Sequence, residues 1–252
     1  MIIEKYSNIR PNIPIDKKMA NLLQENRYGQ LDLNKSIENI IHFIWVRRPI
    51  PELYTKGLKS YAKKCVNHKI YLWVDDCNKK LNIPSVEIKQ IDSLTLVNKH
   101  VYNEVSEYDR LLGAWQSDIL RYELIDKFGG IYLDVDSHCR KNMNDAVFLK
   151  SFAAYNKHYK NKSTNSSFGF YKSSPIMKYA LDAITLGYKL DRKRHDPLSL
   201  SGPYFFTKIL YHFNENNLSM IHTPEFQKEY FRHFQHYNWA PDKVKTWKPP
   251  QL

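Results

Sequence analysis

Ala114-Trp115-Gln116-Ser117-Asp118-Ile119-Leu120-Arg121-Tyr122-Glu123-Leu124-Ile125-Asp126-Lys127-Phe128, then Gly129-Gly130, then Ile131-Tyr132-Leu133-Asp134-Val135-Asp136, reads as helix, stop and strand. The helix predicted over 114–128 is apolar around most of its circumference, through Trp115, Ile119, Leu120, Leu124, Ile125 and Phe128. The chain has only 8 glycines, so two adjacent ones mark a real backbone demand. A glycine just past a helix supplies the left-handed residue that closes it. The strand predicted over 131–136 is apolar and ends in two aspartates. Residues alternate across a strand, so Asp134 and Asp136 are expected on the same side.

Working outward, 39–46 (Asn-Ile-Ile-His-Phe-Ile-Trp-Val) is short, β-branched and apolar on both faces, as a buried parallel strand should be. Pro49 and Pro51 end it. A helix over 53–64 and a second strand over 69–74 follow, with Asp75-Asp76 at that strand's carboxyl end. Strand, helix, strand opens a doubly wound α/β fold. Beyond it, 86–91 reads as a short strand and 101–112 as a helix. After Asp136 come strands at 152–155 and 167–171 and helices at 175–186 and 204–213. Residues 1–36 are polar, broken by Pro11, Pro14 and Gly29, and read as an N-terminal extension. Asp16 there caps a short helix over 17–25. Residues 37–252 read as one α/β domain. The tail from 235 is aromatic and proline-rich and is expected to fold as a loop over a site.

The 252 residues carry 38 basic and 26 acidic side chains, a net charge of +12, and 42% of them are hydrophobic. That composition is globular and argues against wholesale disorder. The positive excess favours an anionic partner, whether nucleotide diphosphate, acidic glycan, phospholipid surface or nucleic acid, or serves solubility alone. The three cysteines (Cys65, Cys77 and Cys139) form no disulfide framework and have no metal-ligand spacing, and a reducing cytosol fits them. Residues 1–14 scatter charges and lack the apolar run of a signal peptide. No apolar run approaches a membrane span, so any membrane contact is expected at the surface.

Two carboxylates at the carboxyl edge of an open α/β sheet sit where ligands bind. Either they are solvated surface acids, or they flank a hard divalent ion, Mn²⁺ or Mg²⁺, that bridges to a diphosphate. The phosphoryl-transfer Asp-x-Asp of haloacid-dehalogenase-like enzymes is a rival. That pair usually follows the first strand and precedes Thr or Val, whereas here it lies mid-chain and precedes Ser137. Asp118 and Arg121 lie three apart on one face of the preceding helix. They form a structural salt bridge, or they aim at the hydroxyls of a donor sugar, with arginine also suited to a departing phosphate. Trp45 ends the first strand on the same sheet edge, as a core side chain or a platform for a nucleobase.

Together, Ile40-Ile41-His42-Phe43-Ile44-Trp45, the Ser117-Asp118-x-x-Arg121 segment and Gly129-Gly130-x-Tyr132-x-Asp134-x-Asp136 resemble the DXD sugar-binding glycosyltransferase family. That family includes yeast initiating mannosyltransferases, bacterial polysaccharide transferases and the catalytic domains of clostridial glucosylating toxins. The resemblance runs from about Ile40 to Trp239. It implies a GT-A fold, a Rossmann-like mixed sheet flanked by helices. It also implies a nucleotide-sugar donor (UDP- ahead of GDP-sugar), a divalent metal and hexosyl transfer with retention. By the same resemblance, Trp45 takes the base-stacking position, Asp118 and Arg121 the donor-sugar positions, Asp134 the ribose and sugar contact, and Asp136 the direct metal ligand. Tyr132 joins the donor-binding group. Ser201-Gly202-Pro203 resembles a Thr-Gly-Pro segment that also touches the donor. The stretch His233-Phe234-Gln235-His236-Tyr237-Asn238-Trp239 is similar to a carboxyl-terminal His…Ser-Trp segment closing over the donor, here 233–252. With Asn238 in place of Ser, the tail's metal contact falls to either histidine (His236 in the working assignment) or to Asn238, and Trp239 covers the diphosphate. The lead-in Glu38-Asn39 replaces the usual Pro-Lys, and Arg47-Arg48 replaces small residues.

These features lead to a cytoplasmic glycosyltransferase, peripheral to an anionic membrane at most, acting on a glycan in surface polysaccharide assembly. An effector acting on the hydroxyl of a host protein is the alternative. A basic module binding nucleic acid or membrane explains the charge but not the ordered acidic motif, and no nucleic-acid partner is expected.

Overall fold

The computed structural model describes residues 3–5, 17–26, 28–105, 113–157, 162–190, 197–213 and 218–233. Its strands are β1 (Ile3–Lys5), β2 (Ile40–Trp45), β3 (Lys69–Val74), β4 (Glu87–Gln90), β5 (Gly130–Leu133), β6 (Ser137–Cys139), β7 (Phe152–Asn156), β8 (Lys162–Phe170), β9 (Ser219–His222) and β10 (Phe231–His233). Its helices are α1 (Lys17–Asn26), α2 (Glu52–Lys64), α3 (Lys99–Val105), α4 (Ala114–Phe128), α5 (Pro175–Leu190), α6 (Pro197–Leu200), α7 (Pro203–Phe213) and α8 (Thr223–Glu229). Eight strands form one mixed sheet in the order β1-β9-β7-β8-β5-β2-β3-β4, and β10 and β6 form a small second one. The half β5-β2-β3-β4 is parallel. β8 joins it antiparallel to β5 and β7. Among the described residues no helix is long and apolar enough to cross a membrane.

The parallel half places the site by register. Trp45 lies opposite Val74 at the carboxyl ends of β2 and β3. Ile41 and His42 lie opposite Ile131 and Tyr132 of β5, so the chain leaving β5 emerges beside the end of β2. The strand is shorter than the 131–136 predicted: it stops at Leu133. The Asp134 amide still donates to Ser166 O (2.9 Å). The chain then turns, with Ser137 Oγ donating to Asp134 O at 2.7 Å. Asp134 and Asp136 are thus carried on a turn beyond the sheet edge, because a local hydroxyl–carbonyl bond competes with the ladder there.

α4 matches its sequence limits because both ends are glycines in left-handed backbone. Gly113 has φ +87° and Gly129 φ +67°, and the Gly129 amide donates to Ile125 O. A Cβ on Gly129 would meet Glu38 Oε2 at 1.6 Å, and one on Gly130 (φ +96°) would meet Ile40 O at 2.5 Å. The Glu38 carboxylate also accepts the Lys172 amide, which explains an acid in the lead-in to β2. His42, fully buried in β2, ties the same turn down. Trp73 Nε1 donates to its Nδ1 at 3.0 Å, so the ring proton sits on Nε2 and donates to Gly129 O at 2.9 Å. Burial lowers its pKa to about 4 against the help of that bond, keeping it neutral. α4 is buried on several faces, and its buried Glu123 is used: it accepts the Val97 and Asn98 amides ahead of α3.

The other predicted elements occur with shifted ends. The strand expected at 167–171 begins earlier, at Lys162. The helix expected over 101–112 spans Lys99–Val105, and its remainder lies outside the described residues. Of the residues read as an N-terminal extension, Ile3–Lys5 add an edge strand to the main sheet against β9, and Tyr28 donates to Asp182 of α5 at 2.6 Å.

Candidate active site

A three-residue bulge builds one wall. Ala153 of β7 pairs with Phe168 of β8, but the next residue, Ala154, pairs with Thr164. Asn165, Ser166 and Ser167 therefore bulge out of the pairing with β7, while Ser167 stays opposite Leu133 of β5, a device that re-aims side chains next to functional sites. Ser166 keeps its place through its amide to Thr164 Oγ1. Asn165 turns toward α4 and donates its amide to Asp118 Oδ1 at 2.9 Å and to Ser201 O at 3.3 Å.

Arg121 is the hub. Its guanidinium pairs with Asp118 Oδ1 at 2.7 Å and reaches Asp134 Oδ1 at 3.5 Å. It donates to Asn165 O at 2.6 Å and lies 4.5 Å over the Tyr132 ring. Tyr132 OH in turn donates to Asp134 Oδ1 at 2.9 Å. The structure thus brings Asp118, Arg121, Tyr132 and Asp134 together. Ser201 joins them through its carbonyl, which also accepts Tyr122 OH at 2.9 Å. Its hydroxyl is fully buried and finds no partner among the described residues. Gly202 is required where its Cβ would come within 2.8 Å of Leu198 Cα.

Asp134, Asp136 and His233 form the second cluster: one ligand atom from each lies within 4.8 Å of the others. His233 Nε2 is 2.7 Å from Asp136 Oδ1 and 3.9 Å from Asp134 Oδ2. Pairing of β10 with β6 puts His233 opposite Ser137, directly after Asp136. The Gln227 amide, 3.2 Å from His233 Nδ1, holds the ring. Two carboxylate oxygens and one imidazole nitrogen are a donor set that suits Mn²⁺ and is compatible with Mg²⁺. Of the histidines in the closing segment, the structure brings His233 to the aspartates; His236, Asn238 and Trp239 lie outside the described residues.

Electrostatics mark both clusters as poised. Burial pushes the Asp118 carboxyl up to about 6, against the opposing charge of Arg121. Asp134 is raised by burial and by its neighbour Asp136, with Arg121 opposing. At His233 burial works against the imidazolium, but the charge and hydrogen bond of Asp136, with Asp134, outweigh it and raise its pKa. Such shifts gather where chemistry is done.

Trp45 lies at the same sheet edge but is only 8% exposed. Its Nε1 donates to Arg48 O at 2.7 Å, Tyr54 packs edge-on at 5.3 Å, and the Arg48 guanidinium lies 5.1 Å over the ring. Asp75 anchors this loop by accepting the Arg47 amide at 2.6 Å, and Arg47 Nε donates to Gln116 Oε1. Asn165 and Gln227 escaped the sequence reading. The signal for Asn165 was a polar run, Ser163 to Ser167, leading into Phe168-Gly169-Phe170, too polar for a strand that only fills a core.

This mixed sheet, with paired carboxylates on the turn beyond β5 and an Asp–Arg couple on the helix before it, has the fold of GT-A glycosyltransferase domains. The chain belongs to the family described as glycosyltransferase sugar-binding region containing DXD motif, whose sequence model matches residues 51–180, just over half of it. It is 25% identical over 187 residues to Subversion of eukaryotic traffic protein A of Legionella pneumophila, covering 69% of this chain and 28% of that protein. Among solved structures, the PaToxG glycosyltransferase superposes with a TM-score of 0.61 at 24% identity, over 77% of this chain and 75% of that one. The UDP-bound glycosyltransferase domain from the YGT toxin superposes with a TM-score of 0.54 at 10% identity, over 75% of this chain and 80% of that one.

Proposed function

We propose that this protein moves a hexosyl group from a nucleotide sugar, a UDP-sugar ahead of a GDP-sugar, to a hydroxyl acceptor. In this reading a divalent cation, Mn²⁺ or Mg²⁺, is held by Asp134, Asp136 and His233. The observation that carries it is the convergence of those three side chains beside the Asp118–Arg121 couple. A cation bound there neutralises the charge that develops on the departing diphosphate.

The chain's own residues do the rest. Asp118, Asp134 and Asn165 accept from and donate to sugar hydroxyls, and Arg121 fixes the two carboxylates at a set spacing while facing the phosphates. Metal ligation needs the Nε2 lone pair of His233. A half-turn of the Gln227 amide presents its oxygen to a proton on Nδ1 and frees that lone pair. Trp45 stacks on the base once Arg48 leaves its face, and the tail bearing Trp239 closes over the diphosphate. Retention of configuration is carried over from the family resemblance. The cysteine content and the positive charge go with a cytosolic protein that touches anionic membrane surfaces at most peripherally.

The test is incubation with a panel of UDP- and GDP-sugars and Mn²⁺, reading donor hydrolysis and transfer. One nucleotide class is expected to be consumed, and Asp136→Asn is expected to cut the rate about 100-fold or more. An Asp136→Asn variant working at full rate overturns the reading. For the acceptor, the sequence favours a surface glycan. A protein hydroxyl is the second reading, favoured by the likeness to the Legionella protein and to toxin glycosyltransferase domains. A sugar-sized mass increase on a protein from exposed cell extract supports the second; transfer only to oligosaccharide supports the first.

A further inference from the structure

One face of α2 is used almost wholly on the segment that follows the aspartates. Gly57, Ser60, Tyr61, Lys64 and, at the cap, Cys65 follow the spacing of a single helix face. A Cβ on Gly57 would lie 2.3 Å from Ser137 O, so the helix backbone rests directly against that residue. Ser60 Oγ accepts the Cys139 amide at 2.8 Å. Tyr61 OH is 2.9 Å from Ser137 Oγ. Since the Ser137 hydroxyl proton is committed to Asp134 O, the tyrosine must be the donor. Lys64 Nζ donates to Cys139 O and Arg140 O, both at 3.0 Å. Cys65 Sγ lies 3.8 Å from Cys139 Sγ.

The target of this face is not arbitrary. Ser137 closes the turn that carries Asp134 and Asp136, and Ser137 and Cys139 are the β6 residues that pair with His233 and Phe231 of β10. All three candidate ligands therefore hang from two short segments registered on Ser137 and Cys139, and α2 grips both. The main sheet reaches only the first of the three ligands, through the Asp134 amide to Ser166 O, because β5 ends at Leu133. Tyr61 is fully buried, so its hydroxyl is held without competition from water, and its bond runs through Ser137 to the Asp134 carbonyl.

We propose that α2 is the positioning element of the cation site and that Tyr61, acting through Ser137, sets the spacing of Asp134, Asp136 and His233. This rests on the reading of those three side chains as cation ligands. Neither Tyr61 nor Gly57 touches donor or cation; they act by holding the groups that do.

The test is Mn²⁺ binding to the full chain with UDP present, followed by loss of the free-Mn²⁺ electron paramagnetic resonance signal, for wild type, Tyr61→Phe, Ser137→Ala, Gly57→Ala and Asp136→Asn. Tyr61→Phe keeps the buried ring and loses only the hydroxyl. It is expected to weaken Mn²⁺ binding roughly tenfold, the lower end of what losing an outer hydrogen bond costs a metal site. UDP binding without metal is expected unchanged. Ser137→Ala is expected to match it, and the double variant to be no worse than either single one, because the two hydroxyls form one chain. Gly57→Ala is expected to weaken Mn²⁺ binding further, although misfolding of this variant decides nothing while Tyr61→Phe remains folded. Unchanged Mn²⁺ affinity in Tyr61→Phe, alongside its loss in Asp136→Asn, overturns this proposal and leaves the cation site standing. Unchanged affinity in Asp136→Asn overturns the cation reading itself.

Discussion

Asp118 concentrates the chemistry of the Asp118–Arg121 couple in one titrating group. Its carboxyl is pushed from 3.8 up to about 6 by burial, so below that pH it takes a proton and weakens as a partner for Arg121 and in its proposed role as an acceptor for sugar hydroxyls. The sign for stability is the reverse. A raised pKa means the folded state holds the proton more tightly, so the stability it contributes is present below 3.8 and lost as pH rises through about 6. Donor turnover is accordingly expected to fall roughly tenfold per pH unit below about 6, measured as kcat/KM against pH. Asp118→Asn is expected to turn over far more slowly and to lose that acid limb. Asn165→Asp places a like charge 2.9 Å from Asp118 Oδ1. It is expected to push the limb to higher pH and to slow turnover at neutral pH by tenfold or more; an unmoved limb would show that Asn165 does not sense Asp118. The aspartates and Arg121 were legible as neighbours because their spacings are local, and the sheet-edge position of Trp45 because it ends the first strand. Asn165 was not, because it meets the motif across 47 residues of chain, and His233, 97 residues away, was named only as one of two histidines in the closing segment. No local pattern separates His233 from His236.

At the scale of elements, the Gly129-Gly130 turn joins the helix of the Asp118–Arg121 couple to the strand leading to the Asp134–Asp136 turn. Its two positive φ angles and the carbonyl of Ile40 beneath it leave no space for a side chain. Gly130→Ala is expected to lower stability by about 2 kcal/mol or more in urea denaturation, from backbone strain and the clash with Ile40 O. A loss below about 0.5 kcal/mol would mean that the turn can rearrange. The limits of α4 were readable because glycine marks both of its ends. The end of β5 was not: Ile131-Tyr132-Leu133-Asp134-Val135-Asp136 alternates well enough to pass for a longer strand, and the Ser137 bond to Asp134 O turns it. β8 itself was half missed, since its first residues are polar: Ser163 is buried on Thr207 of α7, and Asn165 turns to Asp118.

Across the whole molecule, the parallel half resembles a nucleotide-binding sheet and was foreseen from strand, helix, strand. That the sheet is mixed was implied by the family resemblance, but the insertion of antiparallel β8 between β5 and β7, with β9 parallel to β7, was not legible in the residues, because pairing between strands far apart in sequence leaves little local trace. Ligand binding should couple the two halves, since the clusters draw on β5, β8, β10 and α4 together. UDP with Mn²⁺ at 100 times its dissociation constant is expected to stabilise the fold by about 2.7 kcal/mol, read as a rise in melting temperature that UDP alone does not match. The central claim is that Asp134 and Asp136 grip a cation that in turn grips a pyrophosphate. Calorimetric titration of UDP with and without Mn²⁺, in wild type and Asp136→Asn, tests it most directly. Mn²⁺ is expected to tighten UDP binding tenfold or more in wild type, on the order of 1.4 kcal/mol, and to leave Asp136→Asn unaffected. An equal tightening in both proteins would contradict it.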